Sequence, residues 1–179
     1  MKDRPPHSSQ GFAPPWSTRA EWLEANAAMA AALRNDSRRM DLLRDLSQQI
    51  GQRVNLLDPM LDGLCGDTCP NCTDNCCERA TVWYDFKDLL GFHLSAAAVP
   101  AGQLPSMRKC SCKFLKTEGC ALPRIERPFI CTWFLCAAQK RALEEWPPSH
   151  RQFLENSLTA LKYGRHRLEK LFLQEVAGR

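Results

Sequence analysis

MDLLRDLSQQIGQRVNLL, residues 40–57, is the stretch whose reading decides the fold. Met40, Leu43, Leu46, Ile50, Val54 and Leu57 recur at steps of three and four, the period that puts apolar side chains on one stripe of a helix. Upstream, Thr18 and Glu21 have the spacing of a capping box, and Trp22, Leu23, Ala27, Ala30 and Leu33 follow on one side. A helix is therefore expected from residue 18 to about residue 33, with Asn35–Asp36–Ser37 as the start signal of the next. Asp58–Pro59 should close the second helix, because proline excludes the helical conformation from its predecessor. Beyond the break at Pro147–Pro148, Ser149 and Gln152 repeat the capping-box spacing. Leu154, Leu158, Leu161, Leu168, Phe172 and Val176 then mark a C-terminal helix over 149–177. Gly164 lies inside it at a cost of about 1 kcal/mol relative to alanine. The sequence thus predicts a mainly α protein, with helices over 18–57 and 149–177 flanking an irregular cysteine-rich centre over 64–136. Residues 17–179 read as a single domain behind a flexible, proline-rich segment over 1–16.

All ten cysteines of the 179-residue chain fall in that centre. They form two groups of five: Cys65, Cys69, Cys72, Cys76 and Cys77, then Cys110, Cys112, Cys120, Cys131 and Cys136. Spacings of two or three residues let neighbouring thiolates turn back on one ion, and two such groups supply both halves of a shared site, as paired knuckles do. Adjacent Cys76 and Cys77 address two metals, or one ligates while the other packs. A chain of this size buries a core without staples, so inert packing does not account for such a concentration of thiols. Soft thiolates select zinc, iron–sulfur clusters and copper(I). Histidines are few, and His7, His93, His150 and His166 lie outside close ligand spacing, which leaves an all-thiolate shell. The cofactor expected is an iron–sulfur cluster, of the four-iron type, or zinc.

The run CPNCTDNCC (residues 69–77) followed by CKFLKTEGCALPRIERPFIC (residues 112–131) resembles the YkgJ-type cysteine-cluster family of zinc- or iron-chelating domains. The likeness rests on Cys69, Cys72, Cys76 and Cys77, on Cys112 with Phe114–Leu115, on Cys120, and on Arg127–Pro128 with Cys131. One extra residue precedes the double cysteine, and Cys65 and Cys110 lie outside the pattern. The resemblance spans residues 65–136 and implies metal chelation. It also implies a more distant likeness to lysine methylases that carry such a cysteine segment, so an S-adenosylmethionine-dependent protein methylase is one alternative function. A structural-zinc module that binds protein through its flanking helices is another. The metal ligands expected are Cys69, Cys72, Cys76, Cys77, Cys112, Cys120, Cys131 and Cys136, the last on spacing alone, with Cys65 and Cys110 as lesser candidates.

Cys65, Cys69 and Cys72 also have the spacing of a radical S-adenosylmethionine cluster. Asn71 stands where an aromatic residue is usual, and the chain after Cys72 is too short for most of a β/α barrel, so that class is set aside. Arg127–Pro128 should open a helix over 127–146 and bring a guanidinium near the thiolates, with Phe129, Ile130, Trp133, Phe134 and Leu135 as a dry wall. Val82–Phe86 reads as a short strand or a turn of helix. Glu126, Asp85 and Asp88 pair with no histidine or serine at a telling spacing, so acid–base catalysis has no support and no catalytic residue is assigned. The net charge of +4 is modest and dispersed, which argues against nucleic acid as partner. The N-terminus lacks the apolar core of a secretory signal and no run spans a bilayer, so a cytoplasmic location is expected, where dense cysteines serve metals more often than disulfides. The protein is read as a redox or accessory partner of a larger enzyme, with a protein partner docked on its flanking helices.

Overall fold

The computed structural model describes residues 14–34, 38–70, 72–73, 76–79, 81–95, 97–104, 112–116 and 119–178. The fold is mainly helical. Its elements are α1 (Arg19–Ala32), α2 (Arg38–Thr68), α3 (Cys76–Arg79), α4 (Phe86–Leu94), the strands β1 (Leu115–Lys116) and β2 (Gly119–Cys120), a 3-10 turn over Arg124–Glu126, α5 (Ile130–Trp133), α6 (Ala137–Glu144) and α7 (Pro148–Ala177). The second start signal, Asn35–Asp36–Ser37, lies outside the described residues.

The two long helices α2 and α7 pack antiparallel. Val54, Leu57 and Leu61 of α2 share one buried cluster with Leu154, Leu158 and Leu161 of α7. Farther along, Ile50 meets α7 at Gly164, where an added Cβ would stand 3.2 Å from Ile50 Cγ1. The glycine that weakens α7 locally therefore lets the two backbones approach. At the other end, Trp22 and Met29 of α1, Met40, Leu43 and Leu46 of α2, Tyr84, and Leu89, Leu90 and Phe92 of α4 join Leu168 and Phe172 in a second cluster. Complete burial of each such side chain contributes about 1.5–3 kcal/mol.

Three expectations need correction. The second helix does not end at Pro59 but runs through it to Thr68. A proline inside a helix costs about 3 kcal/mol. Burial of Leu61 and Leu64 beyond it, to 2% and 0% exposure, more than offsets that. The continuation matters, because it carries Cys65 on the last turn and Cys69 just past it. The helix expected over 127–146 is broken instead: α5 ends at Trp133, its C-cap Phe134 is extended with ψ of 121°, and α6 starts afresh after Cys136. Ser149 is not a cap either, since α7 begins at Pro148, a position that tolerates proline because its N–H has no helical partner.

Val82–Phe86 resolves into extended chain followed by α4. Asp85 and Asp88 form the capping box of that helix, with Asp85 N–H to Asp88 at 2.9 Å and Asp88 N–H to Asp85 at 2.8 Å. The Thr18–Glu21 box of α1 is present as expected. The segment read as flexible is tied down at its end. Pro15 C=O accepts from Gln103 Nε2 at 2.9 Å, and Trp16 packs edge-on against Trp22 at 6.0 Å.

Candidate metal centre

Seven of the nine described cysteines are brought near one another from four separate parts of the chain. The end of α2 supplies Cys65, with Cys69 N–H bonded back to its carbonyl at 2.8 Å. The short α3 supplies Cys76 and Cys77. Cys112 is joined to that turn directly, since its N–H donates to Cys77 C=O at 2.9 Å. The hairpin then sets Cys120: β1 and β2 pair antiparallel, Leu115 opposite Cys120, and Leu115 N–H donates to Cys112 C=O at 2.9 Å. Gly119 makes this reversal with φ of +114°, a conformation open to glycine but strained for any other residue. Finally, α5 carries Cys131.

The thiols feel one another. Cys65 is drawn down to about 6, first by a hydrogen bond from the Cys69 thiol and then, against burial, by the Arg124 guanidinium. Cys69 is pushed up correspondingly, by that hydrogen bond, burial and the charges of Cys65 and Cys76. Cys76 is drawn down to about 7 by the Cys77 thiol, against burial and the Cys65 charge. Cys77 moves upward through its bond to Cys76, burial and the charges of Cys76, Cys131 and Cys112. Cys131 rises to about 12, from burial first and then the charges of Cys120, Cys112 and Cys76, with Arg127 opposing. That residue keeps an exposed edge although protein fills much of the space around its thiol. Seven cysteines (65, 69, 76, 77, 112, 120 and 131) thus form one electrostatic neighbourhood built of two close pairs and three single thiols. Among the described residues, no three histidine, cysteine, aspartate or glutamate side chains stand arranged to hold one metal ion.

The remaining candidates stand otherwise. Cys72 is fixed by its N–H to Cys69 C=O at 3.1 Å. Cys136 is the N-cap of α6, its N–H donating to Gln139 Oε1 at 3.1 Å. Cys110 lies outside the described residues, as do Asn71 and His7. His93, the histidine that lies between the two cysteine groups, faces Asn26 Oδ1 of α1 at 2.9 Å, and burial lowers its pKa.

Two residues absent from the sequence reading hold Cys65 in place. Gln139 Nε2 donates to Cys65 Sγ at 3.3 Å, so one amide spans the Cys65 thiol and the Cys136 backbone. Arg124, only 2% exposed, bonds Asp58 at 2.8 Å, the carbonyl of Cys131 at 3.4 Å, and Asp62. Its fork therefore fastens α2 to the turn before α5 and presents positive charge to the Cys65 thiol, while Arg127 does so to Cys131. Asp58 and Asp62, one helical turn apart, were legible as a matched pair only with α2 continuing through Pro59. Arg127 is no surface residue, its side chain being 9% exposed and bonded to Asp62 at 3.2 Å and to Leu122 C=O at 2.8 Å. Phe129, Trp133 and Leu135 pack on the α2–α7 cluster, which makes them core as well as wall.

The chain matches no family model, no curated protein and no solved structure. Its geometry alone therefore bears on function. Among the described residues no helix is long and apolar enough to cross a membrane. Asp85 and Asp88 cap α4 and pair with Arg165, whose Nη2 stands 2.8 Å from each carboxylate.

Proposed function

We propose that the chain binds a thiophilic metal, zinc or an iron–sulfur cluster, through cysteines of both groups. The observation that carries this reading is the convergence of thiols from α2, α3, the hairpin and α5 beside two guanidinium groups. Thiolates ligate only when deprotonated, and hydrogen-bond donors around sulfur tune both affinity and potential. Arg124, Arg127 and Gln139 supply such donors or charge. The donor set fits the group chemically, being sulfur-rich with His93 engaged elsewhere. The thiols stand as pairs and single groups, not as a finished shell, so metal binding would couple to ordering of the turns that carry them. Structural zinc supplies about 10–16 kcal/mol for such ordering.

Cys65 and Cys69 from α2, Cys76 and Cys77 from α3, and Cys112, Cys120 and Cys131 are the residues assigned to the centre. Cys72 and Cys136 remain ligand candidates on spacing. Such a centre suits an electron-carrying or accessory role beside a larger enzyme. Absorption at about 400 nm in anaerobically purified protein selects the cluster, whereas colourless protein with stoichiometric zinc selects a structural role. Cys112→Ser and Cys131→Ser should each lower the metal content. Full metal and full stability in both variants would remove the second cysteine group from the site.

A further inference from the structure

The outer face shared by α2 and α7, away from the cysteines, is not covered by any described residue. A groove of about 210 Å³ runs between the two helices there. Its floor is apolar, made by Leu46, Ile50, Ala160 and Leu161, and its rims carry Gln49, Arg53, Tyr163 and Arg167. Tyr163 is 70% exposed and Leu56, one turn beyond Arg53, is 58% exposed. The apolar rim extends along both helices at heptad steps. Leu42 and Leu56 flank Gln49 on α2, and Phe153 precedes Ala160 and Arg167 on α7, all three apolar residues being exposed. Large exposed apolar side chains aligned along one groove mark a contact surface.

Charge selects the occupant. Arg53 and Arg167 have no ion-pair partner among the described residues, whereas Arg39, Arg124, Arg127 and Arg165, which tie separate elements together, are matched with carboxylates. Two unmatched guanidiniums beside an apolar floor complement a segment that offers leucine-like side chains on one stripe and carboxylates beside it. A second copy of this chain would set the same arginines against each other. A nucleic acid would leave Leu42, Leu56 and Phe153 without apolar contact. We propose that this groove docks an acidic amphipathic helix of a partner protein, which would complete a three-helix bundle with α2 and α7.

The test uses the full chain and a fluorescein-labelled synthetic peptide of about five helical turns. Its leucines stand at i, i+3, i+4 and i+7, flanked by glutamates. A second peptide carries lysine at each glutamate position, and a single-stranded RNA serves as the third probe. Fluorescence anisotropy should show the acidic peptide binding in the micromolar range and weakening as salt rises. Arg53→Glu with Arg167→Glu should reduce its affinity at least about tenfold, and Tyr163→Ala several-fold. Both substitutions are at exposed positions, so circular dichroism should be unchanged. Equal binding of acidic and basic peptides, no loss in the double variant, or tighter binding of RNA that displaces the peptide would each overturn the proposal. So would concentration-dependent dimerisation of the free chain that Tyr163→Ala abolishes, because the occupant would then be a second copy.

Discussion

Replacing Arg124 by alanine should loosen the structure at the point where α2 meets the cysteine turns. The guanidinium is 2% exposed and bonds Asp58, Asp62 and the carbonyl of Cys131. Removing one partner from a buried ion pair costs about 3–5 kcal/mol. The acids left behind are not sealed off, however, with Asp58 33% and Asp62 50% exposed, and they rehydrate. A loss of about 2–3 kcal/mol is therefore expected, which for a chain of this length lowers Tm by about 5–10 °C. Urea denaturation of metal-free protein measures it directly. Arg124→Lys should recover less than half, because one ammonium cannot span both carboxylates and the carbonyl as the planar fork does. In an Asp58→Asn, Asp62→Asn background the Arg124→Ala cost should shrink by the coupling between them. A loss under about 0.5 kcal/mol in the otherwise native chain would refute the assignment of Arg124 as the tie between α2 and α5.

Three further outcomes follow from the same geometry. Burial, opposed by Arg165, raises Asp88 from 3.8 to about 6, so the folded state holds a proton that the unfolded state has lost between those values. Ionising Asp88 therefore costs stability as pH rises from about 4 to about 6, and the native chain should gain on Asp88→Asn when denaturation is measured at pH 5 instead of pH 7, by on the order of 1 kcal/mol or more. A difference that does not change with pH would contradict that environment. Gly119→Ala places a side chain at φ of +114° and should destabilise the hairpin by about 1–3 kcal/mol, read from thermal denaturation, with no effect if the turn is not needed. In metal-free protein at neutral pH, iodoacetamide followed by peptide mass mapping should label Cys65 and Cys76 before Cys69 and Cys77, because the first of each pair is held as thiolate. Uniform labelling would dissolve the paired arrangement.

The helical frame was legible because burial follows period. The stripes over 40–57 and 154–172 are those that meet in the α2–α7 interface, whereas Val176 stays exposed and α1 buries Trp22 and Met29 rather than Leu23, Ala27 and Ala30. The Thr18–Glu21 box opens α1 as read. Local rules failed where tertiary contacts outweighed them. Pro59 should stop a helix, yet Leu61, Leu64 and the Arg124 bond to Asp58 carry α2 past it. Only the second half of the run over 127–146, from Ala137, is rich in good helix formers, and Cys136 starts a new helix there, with Gln139 bonded to both its backbone and Cys65. Asp85 and Asp88 have the spacing of a capping box, and they form one at the start of α4. In the candidate site, cysteine spacing pointed to Cys69, Cys76, Cys77, Cys112, Cys120 and Cys131, which influence one another electrostatically, but equally to Cys72 and Cys136, which do not share that neighbourhood. It gave no hint of Gln139 or Arg124, whose partners Cys65, Asp58 and Asp62 are more than sixty positions away in sequence.

The most direct test of the account is the metal-to-protein ratio of the full chain purified without air. At least one zinc, or several irons with matching acid-labile sulfide, should accompany each chain, and the ratio should fall in Cys112→Ser and Cys131→Ser. A folded chain that carries no metal and takes up neither zinc nor iron and sulfide, with all its thiols free to titrate, would contradict a metal centre outright.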